Sequence, residues 1–157
     1  MNKRKKIIVI LIMLLVFCFF IYYYYFNVSG SKISQFLLNN DIREIQITKT
    51  YDTSEKIDVI NKITLNDRQV EMLITLFNNS KFKRISSNFV SFSDKERYLI
   101  TAFNADKNVF LNIKSYGGEF IIVDWSPGNT PAKHWKFRIR NDEWENILNK
   151  IISQSEK

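Results

Sequence analysis

From Ile7 to Phe26 every position is apolar or aromatic, with no charge, amide, glycine or proline. Beyond Phe26 apolar and polar positions mix on the short periods of ordinary secondary structure. At about 1.5 Å per residue the run reaches across the roughly 30 Å hydrocarbon layer, so it predicts a membrane-spanning helix. Its last positions are Tyr22, Tyr23, Tyr24 and Tyr25. On a helix these step round by about 100° each, so their hydroxyls form a ring instead of a stripe. A ring of side chains with apolar bodies and wet tips suits the level where hydrocarbon meets headgroups.

The pattern after the run predicts one α+β domain. Ile33, Phe36 and Leu37 stand at helical spacing, and positions 43–48 alternate like a strand, with Ile45 and Ile47 on one side. Residues 57–65 read as an irregular strand. At Asn66, an N-cap amide with Gln69 three residues on, flanked by Leu65 and Val70, predicts a capping box and a hydrophobic staple. Val70, Leu73, Ile74 and Phe77 continue that helix on one face, and Asn78 and Asn79 suit a left-handed ending.

Five runs separated by turn residues follow, at 81–85, 97–103, 109–116, 119–125 and 134–140, and they predict an antiparallel meander. Gly117 and Gly118 form the expected two-residue hairpin turn. Asn141 is the expected cap of a closing helix whose stripe is Trp144, Ile147, Leu148, Ile151 and Ile152. The fold expectation is therefore an N-terminal transmembrane helix followed by a meander backed by two amphipathic helices. If each strand reverses, the loop at 86–96 shares a rim with Gly117 and Gly118, opposite the turns at 104–108 and 126–133.

Charge adds an orientation. Lys3, Arg4, Lys5 and Lys6 precede the run and residues 27–31 carry no charge, which puts the basic end in the cytoplasm. The organisation is a stub at 1–6, a signal-anchor helix at 7–26, a polar tether at 27–32 and an extracytoplasmic domain at 33–157. A cleaved secretory signal is the alternative, with Val28, Ser29 and Gly30 offering small residues, but the run exceeds the usual 7 to 15 residues of a signal core. A lipidated Cys18 is a further alternative, though Cys18 lies mid-span with Phe17 before it. The net charge is +7, and removing the four basic residues of the stub leaves +3 outside, well short of a nucleic-acid binder. Cys18 is the only cysteine, so no intrachain disulfide forms. That, with the abundance of Ile, Lys and Asn, points to a Gram-positive cell membrane.

No recognised catalytic motif occurs in the chain. His134 is the sole histidine and has no Ser or Cys constellation beside it in sequence. One histidine without an outer cysteine makes a poor zinc set. Paired acids such as Asp52 with Glu55, or Asp94 with Glu96, suit glycoside hydrolysis only beside an aromatic-lined cleft. The chain therefore reads as a non-enzyme with no cofactor and no metal.

Two surface features stand out. Phe89, Val90 and Phe92 sit among small polar residues in a long loop, a candidate tip for a protein partner at the outer membrane face, with core cover as the alternative. Lys136, Arg138 and Arg140 alternate out of the last strand, and Lys114 extends them into a candidate patch for anionic headgroups or wall phosphates. The plain alternative is a solvated strand face. Aromatics and bases do not interleave on one face, which argues against nucleic acid.

From residue 60 to 152, through "ITLNDRQVEMLITLFNNSKFKRIS", "YLITAF", "VFLNIKSYGGEFIIV" and "NDEWENILNKI", the order of elements and turns resembles small extracytoplasmic domains of Gram-positive bacteria carried behind a lipoprotein signal or single anchor. The plan of stub, span and small outer domain is similar to that of phage superinfection-exclusion and bacteriocin-immunity proteins. The resemblance implies protection by binding. It carries over no functional residue, and a helix stands where a lipobox would be. The alternative expectations are a structural or assembly partner of an envelope machine and, third, an enzyme acting on wall polymers.

Overall fold

A computed structural model describes residues 3–39, 42–52, 57–85, 95–126 and 133–154. Helix α1 (Lys3–Phe26) contains the 20-residue apolar stretch Ile7–Phe26, long and apolar enough to cross a membrane and unburied by the rest of the chain. It passes without a linker into β1 (Asn27–Ser29) and then α2 (Gly30–Leu37). There follow β2 (Ile42–Asp52), β3 (Ile57–Thr64), α3 (Asp67–Asn78), β4 (Lys81–Arg84), β5 (Lys95–Asn104), β6 (Val109–Tyr116), β7 (Phe120–Trp125), β8 (Lys133–Arg140) and α4 (Trp144–Ser153). All eight strands form one sheet, paired antiparallel throughout, in the order β1-β4-β8-β7-β6-β5-β2-β3.

The α+β architecture follows the alternation of the strands. Ile45 and Ile47 of β2, Tyr98, Ile100 and Ala102 of β5, Leu111 and Ile113 of β6, Ile121 and Val123 of β7 and Phe137 and Ile139 of β8 are all buried. Against this face lie Ile33 and Leu37 of α2, Leu73, Leu76 and Phe77 of α3, and Trp144, Leu148 and Ile151 of α4. Trp144 sits edge-on to Phe77 and Phe82, at 5.1 and 5.8 Å between ring centres, and its indole N–H donates to Ser115 Oγ at 2.8 Å. The capping box forms as the residues require: Gln69 N–H donates to Asn66 Oδ1 and Asn66 N–H to Gln69 Oε1, both at 3.0 Å.

Several expectations are corrected. Residues 27–32 are no tether, because Asn27, Val28 and Ser29 pair with Lys83, Phe82 and Lys81, and Gly30 opens α2 with its N–H donating to Ser80 O at 3.1 Å. Three helices cover the sheet instead of two, since α2 adds Ile33 and Leu37 to the core. The meander is limited to β5–β8. Strand β4 leaves α3 and inserts Phe82 against Phe77, Phe137 and Trp144, which seats it beside β8 and parallel to β5. Residues 85 and 95 therefore stand at opposite rims, and the expected loop at 86–96 lies outside the described residues up to residue 94.

The turn after β6 has three residues, since Tyr116 pairs with Phe120, and of its glycines only Gly117 takes positive φ, at 54°. Helix α3 ends right-handed at Asn79. Asn141 precedes α4 by three residues, its Oδ1 accepting from Glu143 N–H at 3.0 Å and its amide donating to Ser80 Oγ at 2.8 Å.

Candidate functional site

The face of the sheet away from the helices carries the basic side chains. The strand alternation that buries Phe137 and Ile139 turns Lys136, Arg138 and Arg140 outward, as the sequence requires. Lys114 reaches the same face, two strands over, through the register Lys114↔Ile122↔Lys136. The position of β4 brings two cations that sequence reasoning missed: Lys83 lies opposite Arg138 and Lys81 opposite Arg140. Alternation within "KFKR" put Lys81 and Lys83 on a common face, but only the non-sequential pairing of β4 with β8 makes that face continuous with the patch.

Most of this field rests on apolar support. Ile122 is 8% exposed although it points outward, with Lys114 and Lys136 opposite it on the two neighbouring strands. Arg138 stacks over Phe120 at 5.3 Å and Arg97 over Tyr116 at 4.9 Å. Asp124 interrupts the field, pairing with Lys114 at 3.4 Å and with His134 Nδ1. Lys114 is thus the least available member of the predicted patch, and the continuous cationic strip is Lys81, Lys83, Lys136, Arg138 and Arg140.

A second feature lies at the junction of α1 with the domain. Tyr22, Tyr23, Tyr24 and Tyr25 are all more than half exposed, as a ring requires. Tyr25 is also held by the domain, with the Arg84 guanidinium 4.5 Å above its ring. Asn27 closes the helix end by donating its amide to Tyr23 O at 3.0 Å. Between this helix end, α2 and the inner face of the sheet is a cavity of about 250 Å³. Val28, Ile33, Phe36, Val123, Trp135 and Phe137 give it apolar walls, and Tyr24, Tyr25, Lys32 and Arg84 stand at its polar side. Phe36 stacks on Trp135 at 5.7 Å, and Trp135 on Trp125 at 6.4 Å. Arg84 Nε is buried and its N–H finds no acceptor among the described residues. Sequence reading missed this cavity because its lining comes from six elements, of which β1 lies in the stretch read as a tether and α2 begins there.

Of the remaining candidates, His134 and Glu96 lie among the described residues. His134 lies on β8 with its Nδ1 on Asp124, and no Ser or Cys side chain hydrogen-bonds to it among the described residues. Glu96 is held by Lys49 at 2.9 Å and by the Tyr98 hydroxyl at 3.1 Å. Lys49 and Tyr98 both also reach Asn149 Oδ1 at 3.0 Å, which ties α4 to β2 and β5. Burial and the neighbouring Glu96 raise the Tyr98 pKa well above the ordinary 10. Asp52 as a side chain, Glu55 and Asp94 lie outside the described residues, as do Phe89, Val90 and Phe92. Among the described residues no group of three His, Cys, Asp or Glu side chains converges as metal ligands. Comparison with protein-family models, curated proteins and solved structures returned no match.

Proposed function

We propose that the chain is a membrane-anchored, non-enzymatic binding module, with α1 in the cell membrane, the basic stub inside and the α+β domain outside. It acts by occupancy at the outer face of the bilayer. The observation that carries this reading is the joint: α1 runs into a paired strand, and Tyr25 is clamped under Arg84, so the domain is seated on the helix end and not hung from it. A fixed seat holds the strip of Lys81, Lys83, Lys136, Arg138 and Arg140 at constant orientation to anything arriving at the membrane. Each such cation adds about 1 kcal/mol toward an anionic surface within a Debye length.

Protection is the use we assign to it, as exclusion of phage DNA entry or immunity to a toxin. A small module confined to the membrane meets an incoming agent at high effective concentration without catalysing anything. The test is survival of Gram-positive cells expressing the full chain under phage or pore-forming toxin challenge, beside cells carrying the Lys136→Glu, Arg138→Glu double variant. We expect survival to rise at least about tenfold for wild type and to fall back for the variant. No protection against any attacker, together with a growth or shape defect on deletion, would replace this reading with an envelope-assembly role.

A further inference from the structure

The junction cavity is shaped for part of a molecule. At about 250 Å³ it falls below the 300 to 1,000 Å³ of sites that enclose a whole small ligand. Its occupant must therefore extend beyond it. Its chemistry is divided, with an aromatic and aliphatic wall from Phe36, Trp135 and Phe137 and two cations, Lys32 and Arg84, without a carboxylate among the lining residues. Its location is the end of the apolar helix, beside Tyr24 and Tyr25, where headgroups lie if α1 spans the bilayer. We propose that this cavity binds one anionic phospholipid, with the glycerophosphate between Lys32 and Arg84 and the upper chain methylenes against Phe36 and Trp135.

Arg84 is suited to the role. Its ring contacts with Tyr25 and Phe137, at 4.5 and 6.0 Å, fix the guanidinium plane while leaving its donors for phosphate oxygens. Its buried Nε has no hydrogen-bond acceptor among the described residues, so any charge-assisted hydrogen bond to a phosphate oxygen comes from the terminal nitrogens of the guanidinium. A bound lipid would bridge α1, α2 and β4, bracing the seat on which the module depends. The inference rests on the membrane reading above, and the test separates the two.

The full chain is placed in nanodiscs made with phosphatidylglycerol and phosphatidylcholine, and the lipids retained on release into the gas phase are counted by native mass spectrometry. A cation at a membrane surface contributes about fivefold to anionic preference, so two contribute on the order of 20-fold. Wild type should retain one phosphatidylglycerol with about that preference. Arg84→Gln with Lys32→Gln should lose most of it, while the off-site pair Arg43→Gln and Lys62→Gln, exposed on β2 and β3 at the far edge of the sheet, keeps it. Glycerol 1-phosphate in excess should leave it unchanged, because the apolar wall contributes nothing to a free headgroup.

Incorporation with equal retention of the two lipids overturns the lipid site and leaves the anchor intact. So does a preference that survives the Arg84 and Lys32 changes, which would trace it to the basic stub. Full displacement by glycerol 1-phosphate overturns the lipid assignment in favour of a soluble phosphate ester. Failure to enter the nanodisc would refute the membrane reading and the site with it.

Discussion

Gly30 is where the account of the junction is most exposed to test. A Cβ built on Gly30 meets the carbonyl oxygen of Phe77 at 1.5 Å, its carbon at 2.5 Å and the carbonyl oxygen of Ser80 at 2.8 Å. All three are backbone atoms at the end of α3, so no side chain can swing away. Gly30→Ala must instead push α2 off α3, which strains the Gly30 N–H to Ser80 O bond at 3.1 Å and the Ser34 Oγ to Asn78 Oδ1 bond at 2.7 Å. Overpacking of this kind costs about 1–3 kcal/mol, and each weakened bond adds about 1 kcal/mol. We predict a loss of roughly 3–5 kcal/mol, or a fall in Tm on the order of 10–20 °C for a domain this size. The assay is urea and thermal unfolding of the full chain in detergent micelles, read by Trp125, Trp135 and Trp144 fluorescence, with the exposed neighbour Ser31→Ala as control. A Gly30→Ala protein within about 0.5 kcal/mol of wild type would refute the docked junction, since a free tether tolerates that change.

Ser115→Ala leaves the buried Trp144 indole N–H without its acceptor and should cost about 1–3 kcal/mol in the same unfolding assay. Asn66→Ala removes the cap of α3 and should cost about 1 kcal/mol without altering the m-value. Tyr98 stays protonated in the fold above the pH at which it ionises unfolded, so its contribution is complete below about pH 10 and declines as pH rises, by up to about 1.4 kcal/mol per unit. The stability advantage of wild type over Tyr98→Phe should accordingly shrink above pH 10 and stay constant from pH 6 to 9.

What the sequence disclosed was local. The capping box at Asn66 and Gln69 involves four consecutive residues, and the meander of β5–β8 joins neighbours in the chain, so period and turn chemistry carry both. The basic strip was half legible, because Lys136, Arg138 and Arg140 alternate within one strand. The contribution of Lys81 and Lys83 depends on β4 crossing to β8, which is decided by where Phe82 finds aromatic company. The junction was misread for a related reason. "NVSGSK" is short, polar and turn-like by composition, yet its strand pairs with a segment more than fifty residues later and its glycine is required by the close approach of α3. Neither fact has a local signature. Asn141 likewise looked like a cap but is used to join the start of α4 to Ser80.

The central claim is that α1 anchors a folded domain on the outer side of the membrane. The most direct measurement places one cysteine at the exposed Lys62 of β3, in a Cys18→Ser background, and treats intact cells with a membrane-impermeant thiol reagent. The account predicts labelling before lysis, in the membrane fraction, at the mass of the whole chain. Labelling only after lysis would contradict the orientation, and labelling of a shortened, released product would show that Ile7–Phe26 is a cleaved signal and not an anchor.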